Sequence, residues 1–233
     1  MRVFLFLLAL LSSRAVVASE PDFDGIKRDT WYFLGYQAAA VGILYVMPES
    51  ISGWSEESKD EFSLKDWWDN VSNPTWDKDK DYINYVLHPY WGAAYYVRAR
   101  ERGYNSHQSF WYSALLSTLY EFGFEALFEQ PSIQDLVVTP VFGSLLGVYF
   151  MRLRETVKQR NAGVTEVTTG DKVLMFATDP LGGLNRTVDK WFGRDAQVTI
   201  NPYVQRNTLL QHETVHTKYP REAVTGIEFT LRF

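Results

Sequence analysis

Apolar residues dominate four long stretches of the chain, and residues that begin or end helices bound each stretch. Pro89 suits the first position of a helix, Asn105 or Ser106 suits a cap, and Gly103 suits a helix end. Gly143 and Gly147, four residues apart, would let a helix approach its neighbour closely. The pattern predicts helices over 31–47, 89–103, 106–129 and 135–158.

Beyond Gly193 the pattern changes from helical spacing to alternation. Near the C-terminus apolar residues alternate with polar ones, which predicts a strand ending in Ile227, Phe229, Leu231 and Phe233. This stretch holds too few strands to close a barrel within one chain, although its last residues resemble the terminal strand of outer-membrane barrels. The strands therefore either cap the helical domain, which we expect, or close a barrel jointly with other subunits of a homo-oligomer.

These patterns together predict a mainly α fold. The expected architecture is a compact helical domain of apolar helices with a small C-terminal antiparallel β element. We expect a signal peptide over 1–18, a helical envelope domain over 19–160, a linker with a short amphipathic helix over 161–193, and a β segment over 194–233.

The first residues follow the order of a secretory signal peptide. Arg2 gives a positive start, an apolar stretch follows, and Val16 to Ala18 offer small residues for cleavage before Ser19. The apolar stretch is too short to span a bilayer. We therefore expect an exported cell-envelope protein, located at the outer membrane or its periplasmic face.

Composition narrows the possible functions. The absence of cysteine excludes disulfides, a thiolate nucleophile and Cys-ligated metal sites. A net charge of −5 argues against nucleic acid as a partner.

Aromatic residues make up 16% of the chain, which suits a membrane–water interface or a large aromatic core. A mean hydropathy of −0.22 disfavours a polytopic inner-membrane protein. We expect membrane lipid or other envelope proteins as partners, and the sequence indicates no particular cofactor.

Candidate chemistry concentrates in the stretch YEFGFEALFEQPSIQD, residues 120–135. Polar residues recur every four positions through the preceding helix and into this stretch, and they form a ribbon on an otherwise apolar rod: Ser109, Ser113, Ser117, Glu121 and Glu125. Carboxylates buried there must be paired, hydrogen-bonded or protonated. Available partners are Arg98, Arg100, His88, Asn84 and the tyrosines at 90, 95 and 96.

Three interpretations of the ribbon stay open. The first is a structural network that holds three helices in register. The second is a catalytic cleft of a lipid-acting hydrolase or transferase, with His88 as general base, a serine as nucleophile and a carboxylate as acid or orienting group. The third is a site for a hard cation such as Ca²⁺ or Mg²⁺. For Ser132 and Asp135 the simplest hypothesis is that they cap a helix.

Three segments of the chain carry a family resemblance: NYVLHPYWGAAYYVRARERGYN, SALLSTLYEFGFEALFEQPSIQDLVVTPVFGSLLG and TDPLGGLNRTVDKW. Over about residues 84–193 they resemble the domain-of-unknown-function family 3943 of bacterial envelope proteins, with its His-Pro, Glu-x-x-x-Glu and Pro-Ser-x-x-Asp elements in order. The family has no settled activity, so whether the protein is an enzyme stays open. The resemblance implies that the candidate catalytic residues are His88, Glu121, Glu125, Ser132 and Asp135.

A second motif, HETVH at 212–216, fits the zinc-protease pattern H-E-x-x-H. In that pattern His212 and His216 would bind the metal, and Glu213 would activate water. The motif lies in the β-leaning tail, however, and on a strand Glu213 would point away from both histidines. A zinc metalloprotease is therefore a minor alternative.

Overall fold

A computed structural model of the chain describes residues 20–52, 59, 63–76, 80–163, 165–192, 197–206 and 223–232. For the two C-terminal segments and Ile51–Ser52 it describes the backbone alone. The predicted signal peptide, the HETVH motif with His212, Glu213 and His216, and the terminal Phe233 lie outside the described residues. These predictions stay predictions.

Most of the described residues are helical. The α-helices are α1 (Phe23–Val46), α2 (Glu49–Ser52), α3 (Leu64–Val71), α4 (His88–Glu101), α5 (Ser106–Leu119), α6 (Asp135–Arg160), α7 (Thr169–Ala177) and α8 (Pro180–Phe192). A π-helical turn, Ile83–Leu87, precedes α4 directly. A second π-helical turn, Tyr120–Phe124, follows α5 and leads into the 3₁₀ turn Glu125–Leu127. The mainly helical class is confirmed over the described residues.

The chain divides into two compact units, with the boundary between Gly183 and Leu184. In the second unit the backbones of β1 (Gln197–Arg206) and β2 (Ala223–Arg232) run antiparallel. Gln197 lies opposite Arg232, and Arg206 opposite Ala223. The extent and the role of the predicted β element stay predictions.

Local capping explains where the helices begin and end. Asp22 Oδ1 accepts the N–H of Gly25 at 2.8 Å, so α1 begins well before the predicted start at residue 31. Asn105 and Gln108 form a reciprocal capping box at the start of α5. Gly103, with φ of 83°, ends α4 in the left-handed region. In the segment 161–193, predicted as a linker and one short helix, the structure has two helices, α7 and α8.

α4 and α6 pack against each other at backbone distance. A Cβ atom on Gly92 would lie 2.0 Å from the Thr139 carbonyl oxygen, and one on Gly143 would lie 2.6 Å from Gly92 Cα. One turn further along, a Cβ on Gly147 would lie 2.6 Å from the Tyr96 ring. The small residues thus allow the close approach that their spacing predicts.

A buried network of ion pairs holds α1, α4, α6 and the start of α8 together. Arg98 Nε lies 3.1 Å from Asp29 Oδ2, and its Nη1 lies 2.8 Å from Asp179 Oδ2. Arg154 lies 2.9 Å from Glu101 Oε1 and 3.5 Å from Asp179 Oδ2. The sequence offered Arg98 as a partner for the ribbon carboxylates, but the structure uses it in this network instead.

α6 is the one helix in the described part of the chain whose length and composition suffice to cross a membrane. A third of its most apolar window is buried inside the protein. The buried core helix of a soluble protein meets the same criterion.

Candidate functional site

The five candidate residues lie together at one end of the α4–α5–α6 bundle. Glu121 contacts Ser132, Ser132 contacts Asp135, and Asp135 faces His88. Glu125 lies one turn beyond Glu121, and the two carboxyls interact electrostatically. We refer to His88, Glu121, Glu125, Ser132 and Asp135 as the His–carboxylate cluster.

Two π-helical turns position three members of the cluster. His88 follows the first turn, and its backbone N–H donates to Ile83 O, five residues earlier. Glu121 lies within the second turn, and the Glu125 N–H donates to both Tyr120 O and Glu121 O. π-Helical turns inside longer helices occur frequently at functional sites. Residue spacing gives no sign of them, so the sequence analysis missed them and extended regular helix to residue 129.

Glu121 is fully buried and ties the end of α5 to the start of α6. Its Oε2 accepts the backbone N–H of Ser132 at 2.8 Å, in a hydrogen bond between buried groups. Glu121 is therefore a structural link between two helices as well as a member of the cluster.

Ser132 occupies a capping position. Its Oγ accepts the backbone N–H of Asp135, the first residue of α6, at 3.0 Å. The residue is buried, and its neighbours are fixed by Thr75, which donates its N–H to Pro131 O and accepts the N–H of Ile133. This arrangement agrees with the capping hypothesis and leaves little room for Ser132 to act as an exposed nucleophile.

His88 forms the edge of the cluster that solvent reaches. Its side chain is 15% exposed, and its Nε2 lies 3.8 Å from Asp135 Oδ2, beyond hydrogen-bond distance. Its Nδ1 lies 3.2 Å from the Thr139 hydroxyl oxygen. Thr139 thus orients the imidazole ring so that Nε2 faces the carboxylates.

Negative charge accumulates in the cluster. Burial, followed by the carboxyls of Glu121, Glu129 and Asp135, raises the pKa of Glu125 to about 11. These effects favour the neutral form of the Glu125 carboxyl. The cluster thus combines a carboxylic acid, two buried carboxyls and a half-buried imidazole. This set can transfer protons or bind a cation.

Three members of the cluster could hold a metal ion. One ligand atom each from His88, Glu121 and Asp135 lies within 4.8 Å of the other two. The other predicted metal ligands, His212, Glu213 and His216, lie outside the described residues, so the structure does not test them.

Comparison with protein families gives one match. The model of a family described as a domain of unknown function, DUF3943, matches residues 73–181. The match covers just under half of the chain. The resemblance predicted over about 84–193 is thereby confirmed for the matched residues. No match was found among the curated proteins or among the solved structures.

The matched segment, residues 73–181, contains the whole His–carboxylate cluster and the ribbon that leads to it. Ser109, Ser113 and Ser117 are buried against neighbouring helices. Ser113 Oγ donates to Gly92 O at 2.9 Å, and Ser117 Oγ to Asp135 O at 3.4 Å. The ribbon therefore faces backbone carbonyls of α4 and α6, which the small residues of those helices bring within reach.

A separate apolar pocket of about 660 Å³ lies between α1 and α5, partly outside the segment that the family model matches. Aromatic and aliphatic side chains form most of its wall, including Trp31, Leu34, Trp111 and Leu115. No member of the His–carboxylate cluster lines it. The pocket and the cluster are therefore distinct features of the first unit.

Proposed function

We propose that this chain is an exported cell-envelope protein that associates with membrane lipid as a scaffold or interaction module. In this proposal the His–carboxylate cluster is its buried structural network. The observation that carries the membrane part of the proposal is an exposed apolar row along α6. The order of the first residues supports export, since they have the features of a signal peptide.

The exposed row follows one face of α6 for more than three turns. Its members recur at helical spacing and are all exposed; we call them the α6 stripe: Val137, Val141, Phe142, Leu145 and Tyr149. The opposite face of α6 carries Gly143 and Gly147, which pack on α4. A contiguous exposed apolar surface is typical of membrane or protein contact sites. We favour lipid because the stripe ends in Tyr149, and tyrosine is enriched at membrane–water interfaces.

The burial of the cluster supports a structural role for its carboxyls. Glu121 is 0% exposed and Asp135 is 1% exposed. The Glu121 carboxyl accepts the Ser132 N–H and so joins the end of α5 to the start of α6. A substrate would need a rearrangement of these segments to reach Glu121.

Vesicle binding tests the membrane proposal. Fully burying an aliphatic side chain is worth roughly 1.5–3 kcal/mol. Val141 and Leu145 are each partly exposed, so losing both should weaken vesicle binding about tenfold or more. The change is Val141→Asn with Leu145→Asn, measured by co-sedimentation of the purified chain with phospholipid vesicles.

The matched control is Leu64→Asn with Val173→Asn, two exposed aliphatic residues on α3 and α7. This pair should bind vesicles like the unmodified chain. An equal loss of vesicle binding in both double variants would argue against a role of the α6 stripe. If the unmodified chain did not bind vesicles, the membrane proposal would be wrong.

A lipid-acting hydrolase or transferase is the second candidate, because His88 is partly exposed and faces the Asp135 carboxyl. Glu121→Gln separates the two functions, since it keeps the shape and removes the charge. A structural network predicts a lower unfolding temperature for this variant. A catalytic role predicts a folded protein that fails to restore the envelope lipid composition of a deletion strain.

We also propose that residues 194–233 form a small antiparallel β element through which chains can self-associate. The alternation of Ile227, Phe229 and Leu231 with polar residues supports a strand with one apolar face. Proline at a central strand position removes a ladder hydrogen bond. Phe229→Pro should therefore lower the molecular mass of the protein in light scattering, and an unchanged mass would contradict self-association through this strand.

A further inference from the structure

Donor atoms from three separate chain segments converge inside the His–carboxylate cluster. They belong to His88 at the start of α4, Glu121 after α5 and Asp135 at the start of α6, and all lie within 4.8 Å of one another. We propose that these three side chains bind one first-row divalent metal ion of the class of Zn²⁺ or Mn²⁺. This inference goes beyond the proposed function. Vesicle binding tests the proposed function, and metal binding tests this inference.

The donor types select the class of ion. Imidazole nitrogen suits zinc and other first-row transition metals, and carboxylate oxygen suits zinc and manganese as well. Ca²⁺ and Mg²⁺ favour shells made of oxygen atoms. One imidazole and two carboxylates therefore fit a transition metal better than the hard cations considered from sequence. Three protein ligands also leave a coordination position for water.

The separations of the donor atoms fit such an ion after a small adjustment. Zinc bonds of about 2.0–2.2 Å place neighbouring donors roughly 3.3–3.6 Å apart in a tetrahedral site. His88 Nε2 already lies 3.8 Å from Asp135 Oδ2. The remaining donor pairs, all within 4.8 Å, would shorten toward this range when an ion binds.

Neighbouring groups orient the proposed ligands. The Thr139 hydroxyl lies 3.2 Å from His88 Nδ1, which turns Nε2 toward the two carboxyls. The Ser132 N–H holds one oxygen of Glu121 at 2.8 Å. Hydrogen bonds to the far side of ligating histidines and carboxylates are typical of metal sites.

Burial gives the ion an electrostatic role. Two carboxyls that are almost fully buried and close together repel each other unless a proton or a cation neutralises them. A divalent ion would neutralise both carboxyls, and the exposed edge of His88 gives it a route from solvent.

The test is metal binding by the purified full chain after treatment with a chelator, measured by equilibrium dialysis against Zn²⁺, Mn²⁺ or Mg²⁺. We expect one Zn²⁺ per chain, with Mg²⁺ bound at least tenfold more weakly. His88→Gln should weaken Zn²⁺ binding at least tenfold. The matched control His107→Gln changes an exposed histidine on α5 and should leave binding unchanged.

Two further variants keep the test decisive. Thr139→Val keeps the shape of the side chain but removes its hydroxyl, so it should weaken Zn²⁺ binding about tenfold even if His88→Gln fails to fold. The double variant His212→Gln with His216→Gln should bind Zn²⁺ like the unmodified chain. Absence of Zn²⁺ binding in the unmodified chain would overturn the proposal, and so would binding that this double variant abolishes.

Discussion

Replacing Gly92 by alanine should force α4 and α6 apart and destabilise the protein. The added Cβ would lie 2.0 Å from the Thr139 carbonyl oxygen, 2.8 Å from its carbonyl carbon and 3.1 Å from Gly143 Cα. All three are backbone atoms, so no side-chain rotation relieves the contacts. The shortest contact must widen to about 3.4 Å, the lower limit of ordinary van der Waals contact.

The net effect combines a large cost with a smaller gain. Overpacking a buried site costs about 1–3 kcal/mol, and we expect about 3 kcal/mol because backbone must move. Alanine also has a higher helix propensity than glycine, by about 1 kcal/mol. The free energy of unfolding should therefore fall by about 2 kcal/mol. For a protein of this size, that corresponds to a decrease in Tm of about 4–8 °C.

Thermal unfolding followed by circular dichroism measures the effect. The matched control is Gly35→Ala in the middle of α1, where a Cβ would meet no atom within 4 Å. The control should be as stable as the unmodified protein or up to about 1 kcal/mol more stable. If Gly92→Ala were also neutral or stabilising, α4 and α6 would not pack at the distance described.

The buried ion pairs give two further predictions. Arg154→Met leaves the buried Asp179 with one fewer partner and should cost about 3–5 kcal/mol, whereas Lys158→Met on the exposed side of Glu101 should cost less than about 1 kcal/mol. Equal losses in thermal unfolding would contradict this contrast. Burial raises the pKa of Glu101, but hydrogen bonds from Arg154 and Lys158 outweigh it and hold the pKa below its ordinary value of 4.5. The contribution of Glu101 to stability is therefore present above pH 4.5 and is lost as the pH falls through the lowered pKa. In denaturant titrations Glu101→Gln should reduce this acid-induced loss of stability. Glu155→Gln, at an exposed position, should not.

Local signals in the sequence predicted much of the helical unit. Gly103 and the residues around Asn105 mark the ends of α4 and α5 because their chemistry acts within one helical turn. The early start of α1 was missed, although Asp22 is a capping residue, because the apolar run begins only at Trp31. Cap chemistry and apolar spacing can thus disagree about the same helix.

The residues of the cluster were predicted, but the ion-pair partners of Arg98 were not. Spacing and family resemblance pointed to residues such as His88, Glu121 and Asp135, and the structure brings these together. The partners of Arg98 could not be read from the sequence, because Asp29 and Asp179 lie far from it along the chain. Such pairings depend on how the helices pack, which no local pattern encodes.

The π-helical turn Ile83–Leu87 behaves like a single-residue insertion in front of the regular helix α4. One extra residue rotates everything beyond it by about 100° around the helix axis. Deleting one residue from Ile83–Leu87 would restore a regular helix and swing the residues on one side of the turn onto a different face. His88 and Asp135 would then no longer face each other, although every side chain of the cluster would still be present. The number of residues in Ile83–Leu87 and Tyr120–Phe124 therefore matters to this site as much as the identity of its residues. In either turn, a deletion should disturb the site more than a substitution would.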